Sequence, residues 1–529
     1  MHHVFQIPEL LHPIIYSLER DDQVQCALVC RSWSEIALDI IWDEVDDFRK
    51  LANILSPVKK QISAEEHISY IFDPTPGPQR WMRFQTHYSR RIKVLKFETS
   101  KDEHDLSPLL SSIQRIRSSQ GILPNLRELA WTGFGSTFED MMMFMHGNIK
   151  QLYLYPSYTS DLDPSWLPLL CEAIKVYIPG LTNLTIYAYP EQEYVISLVD
   201  LLKSLPNLTD VNVPAFRDIS SVLSSLDGSL ALRRLSFDAY SEDIAVTLTG
   251  HSPVNLPSLD ELEFYVRQYQ KLGQLLRANQ FRSLTSLMLV TISIECPASI
   301  KAILNHISYS FPSLERLELS YISDLLEEHP DIQDPPSETA IITLDDLIPV
   351  LSCTKISSFI LEHPYPLNLS DSDIRKIALA WRNLKTLWFS STPLTKSQWS
   401  IKITLWGILF LVHQCPDLEE LSLQVNTKLE NMSPLDCFSC HAAEKVAALT
   451  EFDVGNSPIE SEDVNNVVVA LSRFCSPECQ LKWDEESGES HWQKVEDLLP
   501  PLSKMQSTIR EQSERIGFLE RRLASLEKS

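Results

Sequence analysis

One apolar pattern (apolar, two intervening residues, apolar, one intervening residue, apolar) recurs thirteen times, from Ile92/Leu95/Phe97 to Leu449/Phe452/Val454. The mean spacing of about 30 residues is the property that most restricts how this chain can fold. Between triplets lie stretches such as 193–205 and 297–310, whose apolar residues return every three or four positions and so predict helices. Each unit then reads as a short strand, a loop and a helix that returns to the next strand. Pro124, Pro179, Pro206, Pro257, Pro312 and Pro416 each stand two residues before a first apolar position, where a missing N–H and a fixed φ end the helix. Such a unit can bury its apolar side only against its neighbours. The expected architecture is an α/β solenoid over residues 90–475, with parallel strands on an inner face and helices outside.

Composition matters chiefly for what it excludes. With 71 acidic against 46 basic residues the net charge is -25, a surface that repels phosphate backbones and anionic lipid headgroups. Neither nucleic acid nor a membrane is an expected partner. The longest apolar run, Trp406 to Val412, is far short of the roughly 20 residues that cross a bilayer. The first residues do not read as a secretion leader, and the ten scattered cysteines read as free thiols, so cytoplasm or nucleus is the expected compartment. There is no phosphate loop, nucleophile elbow or HExxH pair, and thirteen glycines leave little material for phosphate-cradling turns. No catalytic residue and no cofactor are expected.

The first 50 residues follow a different pattern, with three short amphipathic segments joined near 19–23 and 31–34. So small a helical module can scarcely bury its own apolar faces, which points to completion on a partner. Ile7-Pro8-Glu9-Leu10-Leu11, then Ile14, Ile15 and Leu18, then Ala27-Leu28-Val29-Cys30-Arg31-Ser32-Trp33, resemble an F-box. Trp81–Phe84 and Tyr88–Ile92 are similar to the segment that leads into the repeats in F-box families expanded in mushroom-forming fungi. The thirteen triplets resemble leucine-rich repeats, although the asparagine ladder of that family survives only in part, as at Asn426.

The F-box resemblance implies a Skp-type adaptor as partner, through it a cullin-RING ubiquitin ligase, and a protein substrate held by the repeats. Carried over by position, it makes Ile7, Pro8, Leu10, Leu11, Ile14, Ile15, Leu18, Leu28, Val29 and Trp33 the candidate adaptor contacts. A second reading keeps the module as nothing more than a solenoid cap on a binding scaffold.

Strand alternation carries the candidate substrate surface, because residues between the buried triplet positions point to the inner face. Tyr153, Tyr155, Tyr187, Glu263, Tyr265, Glu318 and Trp388 occupy such positions, together with Asp238, Met288, Val290, Ile360 and Glu362. Tyrosines interleaved with carboxylates favour a partner that presents basic and apolar groups together.

Three smaller features complete the reading. Residues 323–340 form an acidic, proline-rich insertion that reads as solvated decoration, with a loop carrying binding residues as the other reading. Cys437, Cys440, Cys475 and Cys479 have the pairwise spacing of a zinc site, or fill core space as small apolar residues. After a connector (51–89) and an acidic linker (476–501), residues 502, 505, 509, 516, 519, 523 and 526 are apolar at alternating three and four spacing, broken only by Gln512. This is the seam of a coiled coil through 502–528 that would pair two copies in parallel. The other reading of the same segment is an amphipathic helix folded back on the solenoid.

Overall fold

The structure, a computed structural model, describes residues 7–62, 68–98, 105–116, 121–133, 140–156, 166–189, 191, 193–238, 253–278, 281–322, 332, 334–395, 400–428, 449–484 and 491–526. The chain divides into two compact units, residues 1–240 and 241–529.

The first unit begins with helices Pro8–Tyr16, Arg20–Ala27 and Arg31–Ile41. Pro8 stands at the first helical position, where its missing N–H costs nothing. Leu11, Ile15, Cys26, Ala37, Ile40 and Ile41 form the module's core, and Leu18, Ala27, Trp33, Ile36 and Trp42 pack against it. The chain leaves this module through a two-residue strand, Glu44–Val45, which pairs in parallel with Val94–Glu98 and makes the module the end piece of a sheet. Arg91 fastens the same junction. It donates to the carbonyls of His87 (2.7 Å) and Glu35 (2.9 Å) and pairs with the carboxylates of Glu35 and Asp39.

From Val94 the sheet grows one neighbour at a time through Glu128–Gly133, Gln151–Pro156, Asn183–Ile186, Asp210–Pro214 and Arg234–Asp238, all parallel. The register aligns the second triplet position into a continuous row, Leu95, Leu129, Leu152, Leu184, Val211 and Leu235, every one buried. Phe97 and Trp131 stack in the adjacent row at 3.9 Å between ring centroids. Helices such as Trp166–Tyr177 and Tyr194–Ser204 turn their apolar stripes onto these rows and stop at the expected prolines, Pro179 and Pro206.

In the second unit eight parallel strands follow the same rule: Glu261–Val266, Ser286–Thr291, Arg316–Tyr321, Ser358–Leu361, Thr386–Phe389, Glu420–Ser422, Leu449–Asp453 and Cys475–Lys482. Leu262, Leu287, Leu317, Phe359, Leu387, Leu421, Phe452 and Leu481 make its buried row. Ser370 and Asp373 close a reciprocal capping box on helix Asp371–Ala380, as Thr343 and Asp346 do on Leu344–Leu347. Gly455, at φ +49°, lies against the Ser391 carbonyl so closely that a Cβ there would overlap it. The repeat reading of the fold is therefore correct, strand by strand, at all thirteen triplets.

Segment boundaries differ from expectation in three places. The expected linker 476–501 is a further strand, Cys475–Lys482, followed by the first turns of a helix that runs from Trp492 to Leu526 without a break at 502. Trp492, Val495 and Leu499 of that helix are buried, and Trp492 Nε1 donates to the Ser457 carbonyl at 2.8 Å, so it seals the last repeat. The connector 51–89 holds an antiparallel hairpin, Val58–Ile62 with Ile68–Phe72, and a helix, Pro78–His87, that buries Trp81 and Phe84. Helix Phe48–Leu55 crosses the expected boundary at 50.

Candidate functional site

Two kinds of surface carry the residues singled out by sequence. On the N-terminal module the ten candidates separate by helix phase. Leu11 and Ile15, four residues apart, point inward and are 1% and 0% exposed. They hold the module's own core, which corrects their expected place in a partner contact. Leu18 and Trp33 also pack against that core. Ile7 at the N-cap, Leu10 and Ile14 run along the neighbouring stripe of the same helix, about a quarter-turn away, at 43%, 45% and 41% exposure, with Pro8 exposed beside them. Leu28 and Val29 sit in the turn that ends helix Arg20–Ala27, their amides donating to Gln25 and Cys26 carbonyls, and they are 76% and 53% exposed. Tyr16 and Val24, which sequence reading passed over, are exposed too. Cys30 stands at the N-cap position of the third helix, and its contact with Ser32 Oγ at 3.3 Å holds its thiol below the usual range.

The second kind of surface is the solvent side of each sheet. In the first unit Tyr153, Tyr155 and Tyr187 are half-buried there, and the rings of Tyr155 and Tyr187 stack at 4.8 Å between centroids and 16° between planes. Asn212 Nδ2 reaches Tyr187 Oη at 3.4 Å, and Tyr153 Oη donates to Gln151 Oε1 at 3.3 Å. Burial pushes the Tyr153 and Tyr155 phenols up, assisted by Glu128, with Asp238 also acting on Tyr155. Glu128 itself is pushed up by burial against the pull of Lys96, and Asp210 pairs with Arg234. The result is an aromatic strip edged with carboxylates.

In the second unit the register sets Glu263, Met288, Glu318, Ile360 and Trp388 side by side in one row across five strands. Glu318 accepts from Ser320 Oγ at 2.7 Å, and Trp388 Nε1 has no hydrogen-bond partner among the described residues. Tyr265 lies one pleat further along its strand, opposite Val290. Val290 is fully buried, which corrects its expected place on the surface. The Glu362 carboxyl is pushed up, first by burial and then by Glu318.

Of the four cysteines with zinc-like spacing, Cys437 and Cys440 lie outside the described residues. Cys475 is buried in its strand and its thiol is pushed well up by burial, the behaviour of a core residue. Among the described residues no group of three or more histidines, cysteines or carboxylates could hold a metal ion, and no helix is long and apolar enough to cross a membrane. Most of the insertion 323–340 also lies outside the described residues.

Residues 8–47 match the F-box-like family model, the same stretch that folds as the three-helix module and its exit strand. No curated protein matches the chain. Among solved structures, a crystal structure of a Bacteroides fragilis protein, a structural-genomics target, is 12% identical over 43% of this chain and 68% of its own, with a TM-score of 0.24. An overlap that loose bears on neither fold nor function.

Proposed function

We propose that this chain is the substrate-recognition subunit of a Skp-cullin-F-box ubiquitin ligase. On this reading the N-terminal module docks on a Skp-type adaptor and the leucine-rich-repeat solenoid captures a protein substrate. F-box proteins are typically adaptor subunits without catalysis of their own, so no step of the transfer chemistry is assigned to this chain. One observation carries the reading. The stretch that matches the F-box-like model closes its core with Leu11, Ile15, Ala37, Ile40 and Ile41, yet leaves Leu28 at 76% and Val29 at 53% exposure. Large apolar side chains in water beside a completed core favour a partner.

The scaffold reading, in which the module is only a cap, accounts for the Glu44–Val45 pairing and the Arg91 junction. It gives no role to Leu28, Val29, Ile7, Leu10 or Ile14. Both tasks fit in one module because they use different sides of its helices: Glu35 and Asp39 face the repeats through Arg91, and the apolar residues named above face solvent.

For the substrate, the tyrosine strip of the first unit and the Glu263/Glu318/Trp388 row of the second favour a protein with lysine or arginine set among apolar side chains. An adaptor subunit of this kind would work in the cytoplasm or nucleus. Affinity purification with mass spectrometry, using intact protein and a Leu28→Asp, Val29→Asp variant, tests the assignment. The adaptor and cullin should appear with the first and vanish from the second, while substrate-side partners persist. Equal recovery of adaptor and cullin from both overturns it.

A further inference from the structure

Helix Trp492–Leu526 does two things along its 35 residues. Its first turns seal the last repeat, with Trp492, Val495, Leu499 and Ser503 buried. After Ser503 no described side chain of the helix is buried. Over the remaining turns Met505, Ile509, Ile516 and Leu519 are 51%, 49%, 57% and 49% exposed, at spacings of four, seven and three residues, which is one stripe of one helix face. At 1.5 Å per residue, the 22 residues from Met505 to Leu526 continue the helix for about 30 Å. A helix anchored at its base starts from a turn that is already formed, which removes the nucleation cost that weighs most on short isolated helices.

We propose that this stripe is the seam of a parallel, in-register two-stranded coiled coil between two copies of this chain. The choice of occupant rests on charge. With Ile509, Ile516 and Leu523 at the a positions, Arg515 and Arg522 fall at g, and Glu520 and Glu527 at the following e. In a parallel pair each g faces the next e of the partner, so arginine meets glutamate both times. In an antiparallel pair g faces g and e faces e, so arginine would meet arginine and glutamate would meet glutamate. The sequence therefore opposes the antiparallel arrangement and favours the parallel one. Gln512, exposed at a d position, adds to this, since a polar pair in the seam is satisfied only when both copies are in register. A large apolar ligand would explain the stripe but not the alternation of g and e charges. The proposal does not depend on the ligase reading, because it uses no residue of the N-terminal module.

The consequence is a molecule with two recognition solenoids on one stem, which multiplies weak contacts to a substrate with repeated sites. Sedimentation equilibrium of the full chain over roughly 1–100 µM should show a dimer that dissociates at the low end. Ile509→Asp with Ile516→Asp should give a monomer throughout with the same melting temperature, because neither side chain is in the core. Arg515→Glu alone should weaken the dimer roughly tenfold by turning two symmetric attractions into repulsions, and Arg515→Glu with Glu520→Arg should restore it. A wild-type monomer at every concentration overturns the proposal, as does a dimer that survives Ile509→Asp with Ile516→Asp. Dimerisation that is insensitive to Arg515→Glu overturns the parallel register.

Discussion

Replacing Arg91 with methionine should loosen the N-terminal module from the first repeat without unfolding either. The side chain is 13% exposed and serves four acceptors: the carbonyl of His87 at the end of helix Pro78–His87, the carbonyl of Glu35 within the third module helix, and the carboxylates of Glu35 and Asp39 on that same helix. A charge-assisted hydrogen bond in a dry site contributes about 1.5–3 kcal/mol, but the Glu35 and Asp39 carboxylates are 57% and 58% exposed and recover much of their hydration when the arginine is removed. Methionine keeps the apolar stem packed. What remains is a loss of about 1–2 kcal/mol, or a roughly five- to thirtyfold rise in local opening.

Hydrogen exchange of the amides in Arg31–Ile41, compared with those of strand Gln151–Pro156, measures that loss directly. The arginine holds the Glu35 carboxyl below its ordinary range. A carboxyl whose folded pKa is depressed stabilises the fold above its unfolded value, and that contribution is lost as pH falls through the folded value. The difference between wild type and variant should therefore be full at pH 7 and shrink once pH drops below about 4.5. Unchanged protection of Arg31–Ile41 at pH 7, or a difference that does not shrink in acid, refutes the argument.

Other outcomes follow from the same structure. Leu11→Ala should cost about 2–4 kcal/mol in urea denaturation, because Leu11 is core, whereas Leu28→Ala should change stability by less than about 0.5 kcal/mol. Tyr155→Ala should lose about 1 kcal/mol of stability with the Tyr187 stack and should weaken partner capture by more than that, read by urea denaturation and pull-down side by side. Gly455→Ala should destabilise the second unit by at least about 2 kcal/mol in calorimetry, since the new Cβ meets the Ser391 carbonyl at a left-handed φ.

His363 accepts from the Tyr365 amide at 3.1 Å, so its other nitrogen donates to the Glu295 carbonyl at 2.9 Å, and burial holds its pKa below the ordinary value. The unfolded chain takes up that proton first as pH falls. Wild-type stability should therefore drop from about pH 6.5 downward, and His363→Gln should flatten part of that slope in a pH series of melts.

The repeats were legible because their signal is a period, and a period survives variation at any one position. Thirteen triplets with punctuating prolines specified the strands, their parallel order and the row each leucine joins. The same alternation placed Tyr153, Tyr155 and Trp388 on the solvent side, but not Val290, because a position's direction does not determine whether a neighbouring loop or ring covers it. In the module the difficulty was phase. Leu10 and Leu11, and Ile14 and Ile15, are adjacent pairs, so two neighbouring stripes of the helix are apolar and sequence cannot decide which packs inward. The closing strand Cys475–Lys482 went unread because it has no apolar alternation and contains Pro477, both tolerable at the end of a sheet. Arg91 was passed over because its partners lie 52 and 56 residues away and no local pattern announces them.

The adaptor contact is read by isothermal calorimetry of the purified protein against a purified Skp-type adaptor, for wild type and for Leu28→Asp, Val29→Asp. Wild type should bind one adaptor per chain with the negative heat-capacity change of apolar burial. The variant, with the same melting temperature, should give no heat of binding. An adaptor that fails to bind the folded wild type, or one that binds both proteins equally, contradicts the assignment of this chain to a ubiquitin ligase.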